Sequence, residues 1–341
     1  PLALSWGSGA DVITAWEPSM SQLSEFDAVL VAPATRNTIA KHLHGIMDSP
    51  ILMALSASRG NGTPVLFVPS MHKDLFDDPV TEELLSSITE SGGSVLYDSE
   101  SEGKRKQPDP VSIVAELCHI CNSSLPKRRR VAITLGANRA PIDSVRAIQN
   151  ASSGRTGWAI AEHLHRMGHE VTCIAGKTSV RSTFNMPDVR VDGSPGGMLA
   201  LAKELASSRP EPEVWIHAAA VLDYYQEPID GKKPSGEGDW TLTLSQGPKH
   251  ISELSEFTEG AYRIGFKLEV DSSEDDLIKR SMEQISRYGV DAVIANNLND
   301  LKDRNSPRCR IVMPDGNFSV IRDQISMCEA IESLVSLHDP R

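Results

Sequence analysis

Cysteine and aromatic residues are scarce in this chain of 341 residues, which contains five cysteines and 5% Phe, Trp and Tyr. So few cysteines, in an odd number, do not form the disulfide framework of a small secreted domain. No uninterrupted apolar run reaches the ~20 residues that span a bilayer, and no basic, apolar signal peptide opens the chain. These absences predict a cytoplasmic protein that has no membrane segment.

Positive charge is also scarce, because 34 Lys and Arg residues stand against 46 Asp and Glu residues, for a net charge of −12. Non-specific nucleic-acid binding requires a surplus of Lys and Arg, so we expect no nucleic-acid partner. In such an acidic chain, the short basic run Lys127–Arg130 is interpreted as a solvated linker. The chain begins with Pro1 instead of Met, which indicates a truncated N-terminus.

Short apolar runs alternate with amphipathic segments along the whole chain. The predicted strands are 27–31, 64–68, 95–97, 131–135, 171–175, 214–220 and 291–295. The predicted helices are 36–47, 80–91, 111–121, 155–168, 197–207, 273–288 and 323–337. This alternation predicts an α/β protein with two Rossmann-like or flavodoxin-like parallel-sheet domains in tandem, the first incomplete. We place the first domain at residues 1–121, a linker at 122–130 and the second domain at 131–341.

A hairpin is predicted near the end of the chain. Asp315-Gly316 lies between the apolar runs CRIVM and FSVI, and a DG pair in this position favours a primed turn.

The first of three loops that follow predicted strands of the second domain begins at Gly136. Ligands bind at the carboxyl ends of strands in open α/β sheets. The connection continues to Ser152-Ser153-Gly154 at the start of a predicted helix, where free N–H groups favour an anion such as phosphate. The simpler interpretation is a helix capped by Ser153.

The other two loops also follow predicted strands. Residues 218–224 (AAAVLDY) begin with small side chains that let a flat nucleoside approach the backbone, and Asp223 could accept a hydrogen bond from a base or sugar. Residues 265–269 (GFKLE) and Ala295-Asn296-Asn297 form the third set.

Taken in order, the motifs of residues 131–341 resemble the phosphopantothenate–cysteine ligase domain of bifunctional coenzyme A biosynthesis proteins. That family shows TxGGTxEPID, VRxIsNxSSGxxG, AAAVxDY, GKxKK, GFKxE or GFAxE, and AND. This chain has TLGANRAPID, VRAIQNASSGRTG, AAAVLDY, GKKPSG, GFKLE and ANN. The resemblance implies an acid–amino-acid ligase that joins 4′-phosphopantothenate to cysteine. It uses CTP and Mg²⁺ and passes through an acyl-cytidylate.

The resemblance also implies site residues. Asn150 and Lys232 would be catalytic, with Asn150 holding the acyl-cytidylate across a dimer interface. The nucleotide would contact His217, Ala218, Ala219, Asp223, Lys232, Gly247, Pro248, Lys249, His250 and Phe266. A phosphate and substrate loop would contain Gly136, Arg146, Ser152, Ser153 and Gly154. No metal ion bound by protein side chains is expected.

The chain departs from the ligase pattern at three positions. Ala140 stands where the family has Glu, and Gln284 and Tyr288 stand where bacterial members have Lys. Lys279, Arg280 and Arg287 are the candidates that would replace these lysines. CTP and ATP therefore both stay open as the nucleotide.

Residues 1–120 resemble the flavin-dependent phosphopantothenoylcysteine decarboxylase in two loops. The family patterns are APATANTIAK and PAMNxxMWxNP, and the chain has APATRNTIAK at 32–41 and PSMHKDLFDDP at 69–79. The resemblance implies that FMN lies against Thr35, Asn37, Met71 and His72 and that the domain is a carboxy-lyase. His72 and the flap SEGKRKQPDP (101–110) resemble archaeal-type members.

Several decarboxylase features differ from the family. Its Gly-Ser loop for the FMN phosphate would precede Pro1, and PSMSQ (18–22) stands where the family has its catalytic His. An active decarboxylase domain and a non-catalytic, oligomerising one therefore both stay open.

The expected partners are small molecules, namely 4′-phosphopantothenate, cysteine and CTP, and further copies of the chain. The homo-oligomer would contain a ligase-domain dimer and would extend further through the flavoprotein domain. One rival is a Rossmann-type nucleotide-binding oxidoreductase, which the lack of G-x-G-x-x-G after the first strand of either domain opposes. Another is a flavoprotein-like regulatory or scaffold subunit, which the AAAVLDY and GKK loops oppose.

Overall fold

A computed structural model describes residues 7, 9–16, 26–98, 104–105, 107–236, 238–303 and 305–337. The chain divides into two compact units, Pro1–Ser124 and Leu125–Arg341. Within the described ranges, no helix combines the length and the apolar character of a membrane span.

The first unit is built on a small parallel sheet. The strands of the whole unit are β1 (Val29–Ala34), β2 (Val65–Pro69), β3 (Met71–His72), β4 (Ser94–Val95) and β5 (Lys104–Arg105). Its helices are Arg36–Leu43, Pro50–Asn61, Lys73–Phe76, Pro79–Glu90 and Pro110–Asn122. β1, β2 and β4 pair in parallel in that order, and β3 pairs with β5 in the antiparallel sense.

Helices cover both faces of β2, which explains its continuous apolar run. Phe67 packs in a cluster with Leu55 and Ile88, while Leu66 and Val68 on the opposite face pack against Ile113. A strand buried on both faces reads as an unbroken apolar segment. The parallel α/β arrangement expected for this part of the chain is confirmed.

The second unit contains one large sheet. The strands of the whole unit are β6 (Arg130–Leu135), β7 (Arg139–Pro141), β8 (Ala147–Gln149), β9 (Glu170–Ala175), β10 (Asp188–Val191), β11 (Val214–His217), β12 (Tyr224–Tyr225), β13 (Ser245–Gln246), β14 (Tyr262–Glu269), β15 (Ala292–Asn297), β16 (Cys309–Val312) and β17 (Phe318–Ile321). Its helices are Arg155–Arg166, Pro195–Ala206, His250–Glu253, Glu274–Tyr288 and Gln324–Leu337, with short 3₁₀ turns at Glu256–Thr258 and Asp300–Lys302.

Eight of these strands form the sheet in the order β10-β9-β6-β11-β14-β15-β16-β17. The first six are parallel, and β16 and β17 extend the sheet in the antiparallel sense. The parallel part has the strand order 3-2-1-4-5-6 of doubly wound nucleotide-binding folds. The strand order reverses between β6 and β11, and the carboxyl ends of these two strands therefore flank a crevice.

Four local predictions for the second unit are wrong. The segments 265–269 and 295–297, predicted as loops after strands, lie within β14 and β15. The strand predicted at 214–220 ends at His217, because its loop separates from the sheet at the crevice. Gly154, with φ +81°, is the N-cap of the helix Arg155–Arg166, so Ser153 is not the N-cap residue, although its Oγ accepts from the Arg155 N–H at 3.4 Å. The hairpin at Asp315-Gly316 is confirmed, but its turn is not primed, since only Gly316 has a positive φ and its N–H donates to the Met313 carbonyl.

The basic run before β6 is not the solvated segment that its sequence suggests. Arg128 pairs with Glu332 at 3.0 Å, and Arg129 and Arg130 pair with Glu213 at 3.6 and 3.3 Å. The Arg129 side chain is only 11% exposed. These ion pairs fix the start of β6 to the rest of the second unit.

Candidate active site at the crevice between β6 and β11

The loops after β6 and β11 are hydrogen-bonded to each other through their backbones. The Ala220 N–H donates to the Gly136 carbonyl at 2.8 Å, and the Asn138 N–H donates to the Ala220 carbonyl at 3.0 Å. Ala218 and Ala219 continue directly from β11 and carry only methyl side chains. The crevice therefore presents backbone groups that a flat ligand can approach closely.

The Ser152-Ser153-Gly154 segment lies against the same loops. A Cβ on Gly154 would lie 2.5 Å from Thr178 Cγ2 and 3.5 Å from Gly136 Cα, and its positive φ disfavours other residues. The Ser179 N–H donates to the Ser153 carbonyl at 3.1 Å. This close packing places the start of the helix Arg155–Arg166 at the crevice. The Arg155 N–H donates to Ser153 Oγ at 3.4 Å, and the other N–H groups of the first turn can receive an anion.

Asn150 connects this segment to the β11 loop. Its Nδ2 donates to the Ala220 carbonyl at 2.9 Å, and its backbone N–H donates to the Asn138 carbonyl at 3.3 Å. The structure thus brings together the motifs that contain Gly136, Asn150 and Ala218–Ala220, although up to 84 positions separate them in sequence.

Asp143 and Arg146 hold the β7–β8 hairpin to the loop that contains Lys232. The buried Asp143 carboxylate accepts from the Val145 and Arg146 N–H groups at 2.8 and 2.6 Å, from Arg146 Nη1 at 2.8 Å and from the Lys233 N–H at 3.3 Å. Burial raises the pKa of Asp143, but these hydrogen bonds and the Arg146 charge outweigh it, so the pKa lies below its usual value. The carboxylate therefore stays ionised at neutral pH.

The Arg146 guanidinium contacts three groups, although its side chain is 36% exposed. Besides Asp143, it donates to the Lys233 carbonyl at 3.2 Å and lies 5.1 Å from the centre of the Trp240 ring. The Ser144 N–H also donates to the Gly231 carbonyl at 3.0 Å. Lys232, between these anchors, is exposed, and its side chain has no hydrogen bond or ion pair among the residues described.

The predicted nucleotide residues after β11 and β13 lie together. Lys249 Nζ donates to both carboxylate oxygens of Asp223, at 2.8 and 3.0 Å, and the Gly247 N–H donates to the Asp223 carbonyl at 2.9 Å. β12 pairs with β13 beside them. Because both charged side chains are about half exposed, the ion pair lies at the surface above the end of β11.

His217 and His250 lie below this ion pair and are buried. Burial, the Arg263 charge and His250 lower the pKa of His217 to about 3, and burial chiefly lowers the pKa of His250 to about 4. Both rings are therefore neutral at pH 7. Neither Nε2 has a hydrogen-bond partner in the described part of the chain.

Two buried polar residues of this region were not anticipated from the sequence. Arg263 on β14 donates to the carbonyls of Tyr288 and Ile251, and it adds positive charge near His217. Asn138 is fully buried, and its Oδ1 has no donor among the described residues. The sequence feature that could have identified Arg263 is its position as a charged residue inside the otherwise apolar segment YRIGF (262–266).

Phe266 lies on β14, one residue beyond the pairing of His217 with Gly265. Gln284, at a position where bacterial ligases have Lys, donates to the Phe266 carbonyl at 3.4 Å. Of the candidate replacements, Arg280 pairs with Glu269, and the Arg287 guanidinium lies 5.5 Å from the centre of the Tyr288 ring. Arg280 is thus already neutralised by a carboxylate.

The predicted flavin residues lie at the carboxyl ends of β1 and β2 in the first unit. Thr35 Oγ1 caps the helix Arg36–Leu43 by accepting from the Thr38 N–H at 3.2 Å, and Asn37 is exposed in its first turn. Met71 is half-buried and His72 is exposed. The segment 18–22 and four of the ten flap residues, 101–103 and 106, lie outside the described residues.

Within the described residues, no group of three or more His, Cys, Asp and Glu side chains is placed to hold a metal ion.

Comparison with known proteins covers nearly the whole chain. A family model described as the DNA/pantothenate metabolism flavoprotein C-terminal domain matches residues 126–323, and one described as Flavoprotein matches residues 8–127. The coenzyme A biosynthesis bifunctional protein CoaBC of Thermococcus kodakarensis is 34% identical, with 98% of this chain and 83% of the relative aligned. The protein of the same name from Methanocaldococcus jannaschii is 31% identical, with 87% and 72% aligned.

A solved structure shares the fold of part of this chain. The crystal structure of the DNA/pantothenate metabolism flavoprotein from Streptococcus pneumoniae superposes with a TM-score of 0.55 and 25% identity. The match covers 62% of this chain and 100% of that one.

Proposed function

The chain belongs to the CoaBC family of bifunctional coenzyme A biosynthesis enzymes, and we propose that its second unit joins 4′-phosphopantothenate to cysteine in the crevice between β6 and β11. One observation carries the assignment: Asn150 Nδ2 donates to the Ala220 carbonyl at 2.9 Å. That hydrogen bond unites the loop resembling the substrate-binding segment of the ligases with the loop resembling their nucleotide-binding segment. A ligase of this kind must bind the carboxylate and the nucleotide next to each other, because they react with each other.

The proposed reaction has two steps. A carboxylate oxygen of 4′-phosphopantothenate attacks the α-phosphorus of CTP, so that a P–O bond forms and pyrophosphate leaves. The cysteine amine then attacks the acyl carbon, CMP leaves and the amine loses a proton. Because negative charge accumulates on the phosphates in the first step, fixed positive groups at the crevice lower its barrier.

Lys232 is the proposed source of that positive charge. It is exposed, it has no side-chain partner among the described residues, and the contacts of Asp143 and Arg146 with residues 231–233 hold its backbone. The free N–H groups at the start of the helix Arg155–Arg166 supply further hydrogen bonds to the phosphates. Asn150 lies beside Ala220 of its own chain, so we propose that its side-chain amide holds the acyl-cytidylate within one chain's crevice and not across a dimer interface.

The nucleoside is proposed to lie on Ala218 and Ala219, next to the Asp223–Lys249 ion pair. The small side chains leave room for a flat base, and the ion pair offers both a donor and an acceptor. His217, Gly247, Pro248, His250 and Phe266 complete the proposed nucleotide site. We keep CTP as the nucleotide and propose that Mg²⁺ arrives with its phosphates, since the described residues hold no metal-binding cluster.

The first unit is proposed to bind FMN at the carboxyl ends of β1 and β2 and to decarboxylate 4′-phosphopantothenoylcysteine. Exposed Asn37 and His72 beside half-buried Met71 combine polar and apolar contacts, which suits the edge and face of a flavin ring. Thr35 fixes the start of the helix beneath them. Bound FMN would supply the two-electron oxidation that makes loss of CO₂ possible.

The proposal includes the organisation of the protein. The flavoprotein domain occupies residues 1–121 and the ligase domain residues 131–341, joined by the linker 122–130. We propose a cytoplasmic homo-oligomer whose ligase domains form a dimer, and no nucleic-acid partner. The acidic composition of the chain supports the last point.

The test is to incubate the full chain with 4′-phosphopantothenate, cysteine and either CTP or ATP. We expect pyrophosphate and CMP to be released together and mass spectrometry to detect 4′-phosphopantothenoylcysteine. Addition of FMN should then convert this product to 4′-phosphopantetheine with loss of CO₂. Absence of pyrophosphate with both nucleotides would refute the ligase assignment, and a ligation product that FMN does not convert would refute the decarboxylase assignment.

A further inference from the structure

The loop between β12 and β13 carries Lys232 and has no regular secondary structure in its described residues, 226–236 and 238–244. A connection of this length without a helix or strand is uncommon in a compact domain. Gly236 and Gly238 have φ values of +90° and +81°. Because glycine is conformationally permissive, this part of the chain loses much entropy when it is ordered. A fixed position for Lys232 therefore requires contacts that hold the loop.

The first part of the loop is hydrogen-bonded to the β7–β8 hairpin. The Ile229 N–H donates to the Ile142 carbonyl at 3.0 Å, and the hairpin residue Ser144 donates to the Gly231 carbonyl at the same distance. All of the hydrogen bonds between loop and hairpin lie at or before Lys233. Among the described residues of 234–244, none forms a hydrogen bond or ion pair with another described residue.

Trp240 joins the second part of the loop to the first. The Arg146 guanidinium carbon lies 5.1 Å from the centre of the Trp240 ring, and Lys233 Nζ lies 5.8 Å from the same centre. Both distances lie within the range of cation–π contacts. Trp240 is half-buried, and it is the only aromatic residue in the sequence 226–244. It therefore supplies a contact that the glycines and polar residues around it cannot make.

Arg146 gives the Trp240 ring a fixed partner. The buried Asp143 carboxylate, which is ionised, accepts from Arg146 Nη1 at 2.8 Å. Movement of Arg146 would leave that buried charge without its cation, which is strongly unfavourable. The ring thus packs on a guanidinium that the hairpin holds in place.

The same guanidinium also holds the backbone next to Lys232. Arg146 Nη2 donates to the Lys233 carbonyl at 3.2 Å, and the Lys233 N–H donates to Asp143 at 3.3 Å. Both distances are at the long end of the range for hydrogen bonds, and the Arg146 side chain is 36% exposed. Contact with the Trp240 ring limits the access of water to this guanidinium. We therefore expect the two hydrogen bonds of Lys233 to open more often without the ring.

We propose that Trp240 is a positioning residue for Lys232. By contact with Arg146 and Lys233 it holds the loop against the hairpin, so that the Lys232 ammonium stays at the crevice during the attack on the α-phosphate. Trp240 touches no substrate in this role and acts only through Lys232. This inference rests on the ligase function proposed above.

Tryptic cleavage of the Lys232–Lys233 peptide bond in the full chain measures the opening of the loop, because a protease cuts a loop only after it leaves its folded conformation. Trp240→Leu should be cut at this bond about 10-fold faster than the wild type, the factor expected for the loss of two exposed cation–π contacts. Trp240→Tyr keeps an aromatic face and should be cut within about 2-fold of the wild-type rate. The thermal unfolding midpoints of both variants should equal that of the wild type.

Pyrophosphate release tests whether Trp240 acts through Lys232. With saturating substrates, Trp240→Leu should lower kcat about 10-fold and leave the KM for CTP within about 3-fold of the wild type, since Lys232 stabilises charge that develops in the reaction. In the Lys232→Ala background, Trp240→Leu should cause no further loss, because two residues that act as a unit are not additive. Trp240→Tyr should retain most of the wild-type rate.

Phe318→Leu is the matched control, since Phe318 is an aromatic residue of β17 that is 42% exposed and lies outside this loop. It should change neither the tryptic cleavage nor the release of pyrophosphate. Wild-type cleavage in Trp240→Leu would overturn the inference, and so would a further loss of activity in the Lys232→Ala background. Faster cleavage of Trp240→Leu in a protein that releases no pyrophosphate would support the anchoring of Lys232 and refute the ligase function.

Discussion

Acidification should destabilise the second unit through the two buried histidines under the proposed nucleotide loop. The folded-state pKa of His217 is about 3 and that of His250 about 4, against 6.5 for an unfolded histidine. Between pH 6.5 and 4 the unfolded chain binds protons that the folded chain does not. Stability therefore falls as pH decreases through this range, and the loss for His250 stops growing below its folded pKa.

The magnitude follows from the size of the shift. At pH 5 each ring that stays neutral in the folded state lowers the free energy of unfolding by about 2 kcal/mol relative to pH 7, since one pKa unit corresponds to ~1.4 kcal/mol. The two histidines together remove about 4 kcal/mol from a total that is typically ~5–15 kcal/mol for a domain. The second unit should thus be much less stable at pH 5 without any change in its contacts.

Urea unfolding of the full chain at pH 7, 6 and 5, followed by the fluorescence of its five tryptophans, measures this effect. Trp158 and Trp215 are buried in the second unit and report its unfolding. In His217→Gln the pH-dependent loss should be about 2 kcal/mol smaller than in the wild type, because one buried histidine with a lowered folded-state pKa is gone. His169, whose pKa is also lowered to about 4, contributes equally to both proteins. His44→Gln, at an exposed position in the first unit, is the control for loss of a histidine outside this buried pair. A His217→Gln slope equal to that of the wild type would refute the account of a buried, neutral His217.

Three substitutions test the proposed site. Lys232→Ala should lower pyrophosphate release at least ~10²-fold with an unchanged thermal unfolding midpoint, and near-native turnover would remove Lys232 from the site. Asn150→Asp should impair capture or conversion of the acyl-cytidylate in single-turnover assays while CTP affinity stays at the wild-type level, and a loss of CTP affinity alone would contradict its role. Gly154→Ala should reduce the free energy of unfolding by ~1–3 kcal/mol because of its positive φ and the contact with Thr178, and a stability equal to the wild type would show that the loop can shift.

The long apolar strands and the amphipathic helices were predictable because their buried positions require apolar side chains, and these side chains form a recognisable pattern in the sequence. β6 and β9 were predicted with ends within one residue of those observed, and the hairpin of β16 and β17 was located by its DG pair. The helix Pro50–Asn61 was missed although it carries signals: Ser49 precedes a Pro in the first turn, and Gly62 follows the last residue. The apolar run between them lacks a strong amphipathic pattern.

The missed strands lack the apolar pattern for physical reasons. β10 has four residues at the edge of the sheet, and Val191 in it is 70% exposed, so only one side of the strand is covered. β14 contains Arg263, whose charge breaks the apolar run, yet the strand buries it by pairing its guanidinium with the Tyr288 and Ile251 carbonyls. Such compensation depends on residues 12 to 25 positions away and leaves no local signal.

The same limit applies to the function of individual site residues. Resemblance to the ligases marks Arg146 as a substrate-loop residue, but its guanidinium already contacts Asp143, the Lys233 carbonyl and the Trp240 ring. Lys232, in the loop that Arg146 holds, keeps its charge free among the described residues. Whether a cation can bind substrate depends on which partners the fold brings to it, and the Arg146–Lys233 contact spans 87 positions. Motifs thus locate the crevice, while the distribution of uncompensated charge around it identifies the residues that are free to bind an anion.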